Sequence, residues 1–210
     1  MKPLKKVILP FLLVPIVLGI VADLGMSIMV TLTFMVFMLN IVFAITEKSN
    51  FHKLYGTLPV KQSASILSRY LFSLIAIGIT AILSFVIFII LSIITSGRID
   101  WIYGIQFLAL SILIAVLFIS IQYPFYFKFE YTKASIMAIL PYIVCFAIGI
   151  PLLNYFMNNQ NFYQHIISVV NYFNSNILVF LLMIFVLSFL AITGSYLLSK
   201  KYRKRNFKKS

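Results

Sequence analysis

Residues Leu71–Ile94 read LFSLIAIGITAILSFVIFIILSII, 24 residues without a charge. At 1.5 Å per residue, a helix of that length is about 36 Å long, enough to cross a hydrocarbon core about 30 Å thick. A charge at the bilayer centre costs several kcal/mol. A run this long and this free of charge therefore reads as a transmembrane helix. The same reading extends to five more runs: Val7–Ala22, Ser27–Ile45, Ile102–Gln122, Ala134–Phe156 and Ile177–Leu198. None of the 21 charged residues falls inside any of the six. The first run is short for a span, but Lys5 and Lys6 can snorkel at its end and the bilayer can thin to fit. Pro10, Pro15, Pro141 and Pro151 lie within runs, and proline is tolerated in membrane helices where neighbouring groups re-satisfy the freed carbonyl.

Composition agrees. With 62% hydrophobic residues and a mean hydropathy of +1.07 over 210 residues, the chain is too apolar to cover a soluble surface. Six spans with short connections fill the length, so no separate soluble enzyme domain has room. The expected fold class is an all-α membrane protein formed as one transmembrane domain over residues 1–210.

The net charge of +13 is distributed as a topology signal. Lys2, Lys5 and Lys6 precede the first run. Lys48, Lys53, Lys61 and Arg69 lie in the second connection, and Lys128 and Lys133 in the fourth. Lys200, Lys201, Arg203, Lys204, Arg205, Lys208 and Lys209 form a basic tail within 199–210. The first, third and fifth connections together hold only Arg98. Lys and Arg mark the cytosolic side, so both termini are expected there, in a multi-pass protein of a bacterial cell membrane. Clusters flanking apolar runs are not a nucleic-acid surface. The N-terminal lysines followed by apolar residues also describe a secretory signal. Cleavage after Ala22 would require a small residue where Ile20 stands, so the first run is expected to stay as a span. Trp101 and Tyr103 fall at the expected outer interface, and Tyr123 to Tyr131 supply aromatics at the inner one.

Residues suited to catalysis are sparse. No GxxxxGK[ST] phosphate loop is present. His52 and His165 fall on opposite sides of the expected membrane and cannot share a metal, and Cys145 is the lone cysteine. No catalytic, metal or cofactor site is expected. A coupled carrier would hold carboxylates at mid-membrane, and the spans contain none. Thr33, Asn40 and Glu47 fall seven apart on one stripe, read as interhelical hydrogen bonding. In the fifth connection Phe162, Ile166, Val169 and Phe173 share a helical face, predicting a short helix in or near the outer leaflet.

The second connection, Thr46–Tyr70, reads TEKSNFHKLYGTLPVKQSASILSRY. Glu47–Leu54 is expected to form a short amphipathic helix, with Gly56 and Pro59 turning the chain. A further helix is expected from about Ser63 into the third span. This stretch resembles the intracellular loop of ATP-binding-cassette (ABC) type 2 permeases of the small bacterial six-span kind. Glu47, Lys48 and Asn50 match the family's acid-Lys-x-Asn; Leu58, Pro59 and Val60 match its Leu-Pro-Val; Arg69 and Tyr70 open the following span as the family does. Thr57 stands for the usual Ser, and Lys61-Gln62 for Ser-Arg. In the fourth connection Pro124, Tyr126, Lys128, Phe129, Tyr131 and Lys133 agree with the family's aromatic-rich motif, with Glu130 where Gly is usual.

The resemblance implies a permease subunit of an ABC exporter. Two such subunits, in a homodimer or with a sister permease, would sit on two copies of a separate ATPase. It also implies an ATPase contact through Glu47, Lys48, Asn50, Phe51, Leu54, Pro59, Phe129, Tyr131 and Lys133. Among relatives it is most similar to exporters of amphipathic peptides, such as phenol-soluble modulins, and to bacteriocin-type exporters. The substrate class would be amphipathic or hydrophobic, peptide or lipid-like. The alternative reading is a non-transporting accessory or immunity protein acting through helix contacts alone.

Overall fold

The computed structural model describes residues 14–21, 23–48, 62–129, 131–144, 147–148 and 150–207. All regular structure among them is helical. A helix over residues 14–21 (α1) is followed by α2, Leu24–Lys48; α3, Gln62–Ser96; α4, Trp101–Lys128; α5, Tyr131–Val144; α6, Ile150–Met157; α7, Gln160–Ser175; and α8, Ile177–Phe207. Three stretches are long and apolar enough to cross a membrane: Ser63–Ser96, Trp101–Lys128 and Ile177–Tyr202. Leu24–Asn40 is a shorter apolar helix.

Helix α4 is the hub of the bundle. It packs most extensively on α8 and also touches α2, α3 and α5, while α2 lies against α3. The seam on α3 is regular: Ile66, Tyr70, Ser73, Ile77, Ala81, Ser84, Phe88 and Leu91 are all buried. Their spacing of three and four residues places them on one helical face. On α2 the matching face is Ile28, Leu32, Val36 and Leu39.

The opposite faces carry large apolar side chains outward. Ile82 is 69% exposed and Leu178 79%. Phe72, Ile75, Ile79 and Val86 on α3, and Leu182, Phe185 and Phe189 on α8, lie on the same outward faces. Such faces do not stand in water; in a bilayer they meet acyl chains or another membrane subunit.

Several hydroxyls inside the spans bond within their own helices. Thr31 Oγ1 donates to the Ser27 carbonyl (2.6 Å), Thr33 Oγ1 to Met29 (2.8 Å), Thr80 Oγ1 to Ala76 (2.8 Å) and Ser111 Oγ to Phe107 (2.6 Å). Bonding to the carbonyl one turn back occupies the donor of each of these four side chains. The stripe expected to bond between helices thus begins with a Thr33 that bonds its own helix.

Three boundaries differ from the sequence expectation. The fifth apolar run carries two described helices, α5, which already starts at Tyr131 ahead of the run, and α6, with Pro151 in its first turn, where its missing N–H breaks no helical bond. Helix α4 continues through Pro124 to Lys128, and α8 continues past Leu198 to Phe207, so much of the basic tail is helical. The helix read from the 162–173 spacing is present as α7, and Gln106 Nε2 of α4 donates to Asn174 Oδ1 of α7 at 2.8 Å.

At the α3–α4 turn, Gly97 has φ of 63°, a conformation that favours glycine. Ser92 Oγ and Ser96 Oγ both donate to the Arg98 carbonyl, at 2.6 and 3.0 Å. The Asp100 carboxylate accepts the Tyr103 N–H at 3.1 Å and caps α4.

Candidate functional site

One end of the bundle collects the basic residues. There the start of α3, the end of α4, the start of α5 and the C-terminal part of α8 lie together, held by aromatic and hydroxyl contacts.

Tyr70, in the third turn of α3, is 3% exposed. Its hydroxyl lies 2.6 Å from Ser195 Oγ and 2.9 Å from Ser199 Oγ, both on α8. These serines are four apart and so project from one face of α8. The Tyr70 ring meets Tyr123 of α4 edge-on at 4.9 Å between centroids and Tyr196 of α8 at 6.0 Å. Ser73 Oγ donates to the Arg69 carbonyl at 2.8 Å and is also hydrogen-bonded to the Tyr123 hydroxyl. Since the serine proton is used on Arg69, Tyr123 is the donor in the second bond. Tyr70, Ser73, Tyr123, Ser195 and Ser199 thus form one buried knot across three helices.

Outside the knot lies a cationic and aromatic layer. The Arg69 guanidinium stands 5.7 Å from the Phe127 ring centre. Lys128 Nζ lies 4.8 Å from the Phe129 ring and 5.2 Å from the Tyr202 ring, joining the ends of α4 and α8. Cation–π contacts of this geometry favour keeping the charge on the aromatic face. Lys133 is exposed in the first turn of α5, and Phe129 packs against the core.

The predicted contact residues fall as follows. Glu47 and Lys48 are the last two residues of α2, and Tyr131 is the first of α5. Phe129 and Lys133 belong to the basic end just described. Asn50, Phe51, Leu54 and Pro59 lie outside the described residues, as does the expected Glu47–Leu54 helix beyond Lys48, whose first two positions belong to α2. The structure does place both ends of that connection on packed helices, since α2 and α3 lie against each other.

Sequence reasoning missed the pairing of Tyr70 with Ser195 and Ser199. The four-residue spacing of the two serines was the one available signal.

Chemically, the basic end offers binding groups. Among the described residues no group of three or more His, Cys, Asp or Glu comes together to hold a metal ion. At the opposite end an open cavity of about 490 Å³ has both Arg98 and Asp100 among its lining residues, so it presents no net charge to a ligand.

Residues 1–202 match the family described as ABC-2 family transporter protein. The chain belongs to the ABC-2 transporter family. It is accordingly a membrane permease of an ABC transporter, the membrane subunit of a transport system. No curated protein and no solved structure matches the chain. The ABC-2 assignment takes in every helix from α1 to the larger part of α8, well beyond the Thr46–Ile136 region where the sequence motifs lie.

Proposed function

We propose that this ABC-2 permease is one membrane-spanning subunit of an exporter that moves an amphipathic or hydrophobic substrate out of a bacterial cell. It crosses the membrane six times with both ends in the cytosol, and separate ATPase subunits supply the energy. Two permease subunits, identical or paired with a sister chain, complete the pathway. The observation that carries this reading is the family match over residues 1–202, which covers the bundle and the loop together.

The geometry supports the division of labour. The loop before α3 leaves from α2 and returns at α3, two helices packed against each other. A force applied to the loop would therefore reach the core rather than dissipate in a flexible arm. The sequence carries no phosphate loop of its own, so the nucleotide belongs to a partner. The apolar outer faces of α3 and α8 give a second permease subunit, or lipid, a surface to cover.

Co-expression with each phosphate-loop ATPase chain encoded in the same genome tests the proposal. A complex surviving mild detergent is expected, with no ATP hydrolysis by the permease alone. Failure of every such ATPase to co-purify, or hydrolysis by the isolated chain, would overturn it.

A further inference from the structure

We infer that Tyr70 is a positioning residue for transport: its hydroxyl locks the start of α3 to α8, so that a displacement of the loop is passed on to α8 and α4 as one body. The inference rests on the proposed role of the Thr46–Tyr70 loop and names the residue that completes its action.

Tyr70 closes the Thr46–Tyr70 stretch from within the third turn of α3 and sits seven residues before Ile77 on that helix's buried seam. An apolar side chain alone would fill this place on the seam; the tyrosine adds a hydroxyl to it. Here it reaches across to α8 and meets two serines that are themselves 4% and 0% exposed. With one proton and two lone pairs, the Tyr70 hydroxyl donates to one serine and accepts from the other. No water competes in such surroundings, so sliding α3 along α8 leaves the tyrosine hydroxyl buried without a partner. The second bond, Tyr123 to Ser73, adds α4 to the same unit. The rings of Tyr123 and Tyr196 both pack edge-on to Tyr70 and resist its rotation. Three helices are thereby pinned at one level, in the third turn of α3.

Spin-label distances between A64C on α3 and K201C on α8, in a C145S background, test this directly. Both labelled positions are exposed, so the labels need not disturb the knot. The original chain is expected to give one narrow distance, alone and with its ATPase and a non-hydrolysable ATP analogue. Y70F removes one hydroxyl, and S195A/S199A removes both partners while keeping the tyrosine. Both variants are expected to lose the narrow distance in the chain alone. In the ATPase complex, both are expected to show a nucleotide-dependent shift of about 1–2 Å between the labels, the scale of helix movements at switching interfaces. ATPase binding should be unchanged in both, because the knot lies inside the bundle.

A narrow, nucleotide-invariant distance in both variants would overturn the inference. So would loss of ATPase binding in both, because the knot would then support the docking surface and not the transfer of motion. If no ATPase binds the original chain, the functional reading falls and the transport role of Tyr70 with it. The measurement on the chain alone still decides whether the lock exists.

Discussion

The ring of Phe88 lies so close to the backbone at Gly104 that a Cβ added there would sit 2.5 Å from Phe88 Cε1. Phe88 is 1% exposed on α3 and Gly104 is buried in the first turns of α4, so the ring has nowhere to retreat. The same arrangement recurs nearby, where a Cβ on Gly25 of α2 would lie 2.5 Å from Cδ1 of Phe107 on α4. Two glycine–ring contacts thus set how closely α2, α3 and α4 approach at this end.

Replacing Gly104 by Ala is therefore expected to destabilise the bundle by about 1–3 kcal/mol, the cost of overpacking a filled site. The check is thermal unfolding in detergent, paired with F88L. The double variant G104A/F88L should lose less than the two single losses combined, since the smaller side chain removes the clash. An unchanged melting temperature in G104A would show that the helices part freely here.

Asp23 supports a second expectation. Its carboxylate accepts the Gly25 N–H at 2.8 Å, capping α2, and also accepts the Tyr103 hydroxyl of α4. D23A removes both bonds and should cost about 1–2 kcal/mol, the usual cost of losing a good cap. D23N keeps a capping oxygen and should lose less. Y103F added to D23A should cost little more, because the two residues share one bond. Additive losses would separate the cap from the tyrosine contact.

The order of the bundle is largely legible in the sequence, for one physical reason. Hydrocarbon excludes charge, so Lys48, Arg98, Lys128 and Lys200 punctuate the ends of the apolar runs. The Ile102–Gln122 and Ile177–Leu198 runs, which lie within the Trp101–Lys128 and Ile177–Tyr202 helices, follow from that rule. What it cannot supply is helix rotation. Tyr70 and Ser195 are 125 residues apart, and nothing in either segment marks the other as its partner. The glycine–ring contacts are hidden likewise, because Gly104 reads as a weak helix former until Phe88 is seen against it. The helical continuation of α8 is obscured by its charges, which forbid a membrane span but not a helix.

Topology is the third expectation. Sixteen of the seventeen Lys and Arg residues fall on one side of the proposed six-span layout, and that side should face the cytosol. With Cys145 replaced, cysteines at Ser49 and Ser210 should resist a membrane-impermeant thiol reagent on intact cells. A cysteine at Asn159, an exposed residue just before α7, should react. Labelling at Ser210 from outside would remove the six-span layout.

The last expectation concerns the loop itself. Phe51 and Leu54 are three apart, so a helix over Glu47–Leu54 would present both on one face. Apolar anchors of this kind carry a large share of interface energy when they seat in a partner's groove. Changing both to Asp should weaken ATPase docking by at least about 2 kcal/mol, roughly thirtyfold in affinity. Insertion and expression should be normal, because neither residue lies in an apolar run. The paired control is the same change at Phe129 and Tyr131, in the shorter fourth connection. Phe129 packs against the core and its ring lies 4.8 Å from Lys128 Nζ, so this control also probes stability. It should lower the melting temperature more and ATPase affinity less than the Phe51/Leu54 variant. Equal affinity for the ATPase in the Phe51/Leu54 variant and the original chain would show that docking lies elsewhere. The Tyr70 knot would then receive its motion through α4 or α5 and not through the loop that ends at Tyr70.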